Sequence, residues 1–275
     1  MCLIVFGLRA HPRYPLVVAA NRDEFVARPS EPAAFWKGYD GLLAGRDLTA
    51  GGTWMGVTRS GRFAALTNVR DPRAFDPSAP SRGELVVRFL AASDEPIAHI
   101  RDLATAGERR NGFNLLCAAG GRLGWYSNKR SEPLEVESGV HAVSNALLDT
   151  PWPKVGRSAA GLVRILGRED EIDPEELLAL LADREPAPDG DLPDTGVDLA
   201  TERILSPPFI AAPGYGTRGS TILLVSSAGR ATLLERLFDE AFHEAGTTRF
   251  ELDFRGWESL GEPRGPGLEI GHQDE

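Results

Sequence analysis

MCLIVFGLRAHPRYPLVVAANRDEF, residues 1–25, decides how this chain begins to fold. Residues 3–8 are a strongly apolar strand, His11, Pro12, Arg13 and Tyr14 read as a turn, and residues 16–20 supply a second strand. The chain therefore opens as a β-hairpin. Asn21, Arg22, Asp23 and Glu24 follow where the second strand is expected to end. Polar groups just beyond buried strands can turn toward a cleft without leaving an unpaired charge in the core.

Working outward, residues 54–58 and 62–67 form another strand pair around the turn Arg59, Ser60 and Gly61, after a loop rich in proline and glycine. Asn68 follows the return strand and so stands at a second strand mouth. Ser81 and Glu84 have capping-box spacing, which predicts a helix starting near Ser81. A second helix falls within residues 97–110, strands at 113–119, 122–126 and 141–144, and helices at 155–166 and 174–181. Residues 184–198, rich in proline, aspartate and glycine, read as a surface loop. Residues 221–225 and 232–237 form a late hairpin, 250–254 a final strand, and the tail near 256–275 is expected to be poorly ordered. Strand pairs flank a helical middle without regular βαβ alternation, which predicts an α+β fold of mainly antiparallel sheets with helical faces, in one domain spanning 1–275.

The chain has 275 residues, 42% of them hydrophobic and 25% charged, an ordinary soluble composition. A formal net charge of -10 disfavours nucleic acid and anionic membrane as partners, and no concentrated basic patch opposes it. Two cysteines, Cys2 and Cys117, are too few for a disulfide framework. The start lacks the features of a secretion signal and no apolar stretch is long enough to span a bilayer, so the expected location is cytoplasmic.

Cys2 has the greatest chemical scope. Removal of Met1 leaves one residue carrying both a thiol and a free α-amine, whose ordinary pKa of about 7.7 to 8.0 suits it to take the thiol proton near neutrality. The thiolate then attacks an amide or ester carbonyl to give an acyl-enzyme. The competing reading is a small buried cysteine at the start of an edge strand. Asp23 suits orientation of the amine, and Arg22 suits a carboxylate or developing negative charge, unless the two make only a local ion pair. They share one site only if the strand has ended or bulged, because neighbours on a strand point oppositely. Asn68 and Asn145 offer amide donors for an oxyanion, or else serve as turn and capping residues. Arg218 lies in GYGTRGST, which lacks the lysine and spacing of a phosphate-binding loop. None of the five histidines has zinc-site spacing, so no metal is expected, and Cys117 within FNLLCAA reads as core.

Taken together, MCLIVF, AANRDEFVARPS, AGRDLTAGGTWMGVTRSGRFAALTN, RGELV, NGFNLL, SNALLDTPWPK and GYGTRGSTILLV occur in order across almost the whole chain. In this the chain resembles the NRDE family, also called the transport and Golgi organization protein 2 family. The resemblance implies a four-layer αββα fold of the N-terminal-nucleophile (Ntn) hydrolase type, two stacked antiparallel sheets between helical layers. It places Cys2 at the nucleophile position and Asn21, Arg22, Asp23 and Glu24 in the naming motif. More distant cysteine acylases supply the mechanistic analogy. Asn21 and Asp23 match the asparagine and aspartate ending their second strand, Asn68 and Asn145 their pocket asparagines, and Arg218 their late arginine. Those acylases carry an arginine immediately before the motif asparagine, where this chain has Ala20 and instead holds Arg22 inside the motif.

Two functions follow as expectations from the resemblance. One is a cofactor-free intracellular hydrolase of an amide or thioester of a small acylated molecule, with Cys2, Asp23, Asn68 and Asn145 as the catalytic group and Asn21, Arg22 and Arg218 as substrate or network residues. The other is a non-catalytic carrier or chaperone using the same cleft for haem or an acylated lipid.

Overall fold

A computed structural model describes residues 2–130 and 132–258. The first half runs β1 (Cys2–Leu8), β2 (Leu16–Phe25), β3 (Ser30–Phe35), β4 (Leu42–Asp47), β5 (Met55–Thr58), β6 (Phe63–Asn68), α1 (Gly83–Ala91) and α2 (Pro96–Ala106). Next come β7 (Phe113–Ala119), β8 (Arg122–Ser127), β9 (Leu134–Glu135), β10 (Gly139–Val143), α3 (Pro153–Leu166), α4 (Pro174–Leu181) and α5 (Leu199–Ile204). The described part closes with β11 (Ala211–Ala212), β12 (Tyr215–Val225), β13 (Arg230–Phe238) and β14 (Glu244–Asp253).

The opening hairpin is buried because it lies inside a sheet. β1 pairs with β10 on one side and β2 on the other, and β2 continues to β12, β13 and β14, all antiparallel, with β11 beside β12. The second sheet runs β3 to β9 in sequence order as a meander. Alternation along each strand sorts the side chains. Ile4, Phe6, Val18 and Leu223 meet Met55, Phe63, Leu116 and Trp125 between the two sheets. Leu3, Val5, Val17 and Ala19 face the other way, onto Val155, Leu162 and Leu177 of α3 and α4. Ala64, Leu66, Leu115 and Cys117 face α1 and α2 through Leu85, Phe89 and Ile100. The result is a four-layer α+β stack, with two antiparallel sheets between helical layers.

Several expectations change. β2 does not end at Ala20 but runs to Phe25, pairing Asp23 with Thr217 and Phe25 with Tyr215. The polar run was read as a strand end, yet each polar side chain finds a partner without leaving the sheet. Residues 30–47 form β3 and β4 rather than loop. β3 is an edge strand, mostly exposed, and Pro32 falls in the register shift between Glu31 and Ala34, where a missing N–H is tolerated. Helix α1 begins at Gly83 with no side-chain cap from Ser81, and Glu84 instead pairs with Arg88 and Arg110. The last strand starts at Glu244, and its exposed alternation carries little apolar signal. Residues 182–198 hold only a short 3-10 turn, Asp189–Asp191. Of the expected tail, Trp257 is fully buried between the sheets and donates its indole N–H to the Gly61 carbonyl at 2.8 Å; residues 259–275 lie outside the described chain.

Candidate active site

Cys2 opens β1 directly opposite Arg22 of β2. It has the parity of Ile4, which puts its thiol on the inter-sheet side, half-buried. Burial pushes the thiol above its ordinary range and the Asp23 carboxylate pushes the same way; the Asp23 backbone N–H and the Arg22 guanidinium pull it down. The Ser144 hydroxyl donates to the Cys2 carbonyl at 3.0 Å and ties β1 to the end of β10.

Because β2 stays extended, its motif divides between faces. Arg22 shares the inter-sheet face with Val18 and Ala20, and its guanidinium stacks 4.3 Å from the Trp54 ring. The arginine inside the motif therefore lies two residues from Ala20 on the same side of the sheet. Asn21 and Asp23 face the helical layer. The Asn21 amide donates to the carbonyls of Leu181 and Pro208, both at 2.9 Å, and its oxygen accepts from Ser220 at 2.6 Å. These bonds fasten α4 and the segment before β11 onto the sheet, a structural task that uses the whole Asn21 amide. Asp23 is buried and accepts from the Thr217 hydroxyl at 2.7 Å. Desolvation raises its pKa; Lys154, the Thr217 hydrogen bond and Arg70 oppose the rise. The bulge that sequence reasoning required is present, but in the partner: the β12 register shifts between Thr217 and Gly219, leaving Arg218 as the extra residue.

A cleft of about 610 Å³ opens over this end of the sheet, bordered by Cys2, Arg22, Asp23, Asn68, Arg82 and Tyr215. Phe25 and Phe75 stand exposed at its rim. Four of the seven residues singled out from sequence, Cys2, Arg22, Asp23 and Asn68, thus converge on one cleft. Asn145 sits one step behind: its side-chain N–H donates to the Asn68 carbonyl at 2.9 Å, and its oxygen lies 3.2 Å from the Ser144 hydroxyl, which it shares with the Cys2 carbonyl. Asn21 is turned into the helical layer, and Arg218 points away, its guanidinium donating to the Asp239 carbonyl.

Sequence reasoning missed other members of the site. Arg82, just before α1, feels Cys2 electrostatically, and burial lowers its pKa. Tyr215 lines the same cleft, and burial, then the charges of Asp23 and Cys2, push its hydroxyl pKa up. Arg70 forms a buried ion pair with Glu202 and stacks on Trp152 at 5.1 Å. Lys154, in the first turn of α3, is wholly buried; burial pushes its pKa down to about 8 against the pull of Asp23. A signal existed for the last of these. Lysine in the first turn of a helix opposes the macrodipole, so PWPK ahead of an apolar helix asks for an explanation. Among the described residues no cluster of three or more His, Cys, Asp or Glu side chains could hold a metal, and no helix is long and apolar enough to cross a membrane.

The family description Transport and Golgi organisation 2 matches residues 1–240. The chain belongs to this family. The human transport and Golgi organization protein 2 homolog is 34% identical over 273 residues, covering 92% of this chain and 99% of the human protein. Among solved structures, two variants of the conjugated bile acid hydrolase from Clostridium perfringens superpose with TM-scores of 0.52 and 0.51 at 8% identity. They cover 100% of this chain and 99% and 100% of theirs. At that identity the likeness shows the fold alone, and the fold is Ntn-hydrolase-like. Family membership accounts for the ordered motifs, and the stacked sheets account for the strand-borne Cys2 at a cleft.

Proposed function

We propose that this chain is an N-terminal-cysteine hydrolase acting on the amide or thioester of an acylated small molecule. The observation that carries the reading is the half-buried Cys2 thiol on a strand end, at a cleft it shares with the buried Asp23. With Met1 removed, the Cys2 α-amine lies at the end of β1 toward Asp23, because Cys2 is in register with Arg22. The amine takes the thiol proton and the thiolate adds to the substrate carbonyl carbon. The tetrahedral oxyanion is met by the side-chain amide of Asn68, whose main chain is braced by Asn145, and by the positive potential of Arg22 and Arg82. Collapse expels the amine or thiol, which leaves with the proton from the ammonium. Water, deprotonated by the same α-amine, then adds to the thioester and releases the acid and the free thiol.

Arg22 and Arg82 also favour a substrate with an acidic group, while Phe25 and Phe75 offer apolar surface to an acyl chain at the rim. The test is steady-state hydrolysis of a panel of acyl-amides and acyl-thioesters by the full chain and by Cys2→Ala. The reading expects turnover of at least one class that Cys2→Ala abolishes. Equal rates in the two proteins, or no turnover together with saturable haem binding, would overturn it.

A further inference from the structure

Between the end of β10 and the start of α3 lies the loop SNALLDT, residues 144–150, whose hydrogen bonds reach both sheets. The Ser144 hydroxyl donates to the Cys2 carbonyl at 3.0 Å, at the start of β1. The next residue meets the other sheet. The Asn145 side chain donates to the Asn68 carbonyl at 2.9 Å, at the end of β6, and the Asn145 main-chain carbonyl accepts from the Arg70 backbone N–H at 2.8 Å. The Ala146 carbonyl accepts from the Asn114 side chain of β7 at 2.7 Å. Because β1 and β6 belong to different sheets, two consecutive residues bridge the strand that carries Cys2 to the strand that carries Asn68.

A clamp closes this loop. Asp149 donates its backbone N–H to the Ala142 carbonyl at 2.8 Å, and one of its carboxylate oxygens accepts from the Ala142 N–H, also at 2.8 Å. The other carboxylate oxygen accepts from Nδ1 of the buried His141 at 2.7 Å. β10 is an edge strand, so Asp149 takes up the two main-chain groups that Ala142 would otherwise present to an open edge. The His141 ring is itself held: it stacks on Phe6 with centroids 5.5 Å apart, and its Nε2 lies 3.2 Å from the Glu137 carbonyl. Asp149 has a φ of 57°, a left-handed backbone that residues other than glycine adopt at a cost, and its three hydrogen bonds offset that strain.

We propose that His141 and Asp149 are positioning residues of the Cys2 site: their side-chain pair fixes the loop that holds Cys2 and Asn68, from opposite sheets, at one spacing. The link to chemistry rests on the nucleophile reading above; the clamp and its reach across the sheets do not. Neither side chain lines the cleft, so both act on the nucleophile and the oxyanion donor through Ser144 and Asn145. Without the pair the left-handed turn at Asp149 is no longer compensated, the loop opens, and the main chain at Asn68 loses its brace. An asparagine at 141 puts an amide donor where Nδ1 stands and keeps the clamp, whereas leucine keeps only the bulk. An asparagine at 149 keeps the backbone preference but leaves one acceptor oxygen for two donors.

The test is amide hydrogen exchange of the full chain, read by NMR at the Arg70 N–H, which bonds to Asn145 and to neither clamp residue. His141→Leu and Asp149→Asn are expected to speed its exchange about tenfold, the equivalent of one hydrogen bond. The Leu116 amide, in the middle of the second sheet, keeps its wild-type rate, and His141→Asn restores the Arg70 rate. An unchanged Arg70 amide in the folded variants, or equal acceleration at Leu116, would overturn the proposal. Should the variants not fold, exchange of the wild type in a denaturant series decides. The Ala142, Asp149 and Arg70 amides must open together, with one free energy below that of Leu116, and independent opening contradicts the clamp. Where turnover is measurable, His141→Leu lowers kcat about tenfold or more and leaves KM near its wild-type value; a loss confined to KM counts against positioning. Exchange does not use hydrolysis. Coupled exchange without turnover defeats the hydrolase reading alone, and turnover without coupled exchange defeats this proposal alone.

Discussion

Replacing Lys154 with methionine should change how stability depends on alkaline pH, and the size of the change follows from burial. In the folded chain the Lys154 pKa is pushed down to about 8 from an ordinary 10.5. A depressed basic pKa means that the unfolded chain binds the extra proton between those two values, so this residue makes unfolding free energy rise with pH across that interval. At neutral pH the group is charged in both states and the full penalty of burying it is present, about 3 kcal/mol for a shift of this order. Most of the penalty, roughly 2 to 3 kcal/mol, disappears between about pH 7 and pH 10 as the folded lysine loses its proton. Lys154→Met has no such proton to lose. The stability gap, wild type minus variant, should therefore widen in favour of the wild type over this interval. Urea unfolding of both proteins at a series of pH values measures it, with equal slopes against urea as the check that both unfold alike. A gap that stays flat, or that narrows as pH rises, would refute the electrostatic account of this position.

Three further outcomes follow from single contacts. Trp257→Ala empties a fully buried indole site and orphans the Gly61 carbonyl; it should cost roughly 3 to 5 kcal/mol in urea unfolding. Gly45→Ala places a methyl carbon 2.4 Å from the Trp54 ring, so Trp54 must shift and its stack on Arg22 loosens; the expected readout is altered alkylation of Cys2 with little loss of secondary structure, and unchanged alkylation counts against Trp54 as a wall of the site. Native iodoacetamide labelling should modify Cys2 while Cys117, fully buried with its thiol pKa raised by desolvation, reacts only after unfolding; comparable native labelling of both cysteines contradicts the described packing.

The hairpin, the layer architecture and the position of Cys2 were legible because they rest on long apolar runs. LIVFGL and LVVAA can be buried on both faces only inside a sheet, and the middle of the chain has helical spacing. β3, β14 and the full length of β2 were hidden because their residues are exposed or polar and are held by neighbours distant in sequence. Asn21 is the clearest case: its partners lie 160 to 199 residues away, so nothing local announces that its amide is spent on structure. Asp23 was legible as a site residue through its motif, whereas the buried Lys154 was not, since it comes from a helix 131 positions later. Arg218 was chosen for its glycine-rich setting, and those glycines instead accompany a bulge that turns it outward.

The central claim is that Cys2 becomes a nucleophile at the chain's amino terminus. Intact mass of the purified full chain tests it most directly, before and after brief exposure to an acyl-thioester with acid quenching. The account predicts a mass lacking Met1 and, after exposure, one acyl adduct on Cys2 that is absent from Cys2→Ala. Retained Met1, with no adduct from any acyl-amide or acyl-thioester tried, would contradict it.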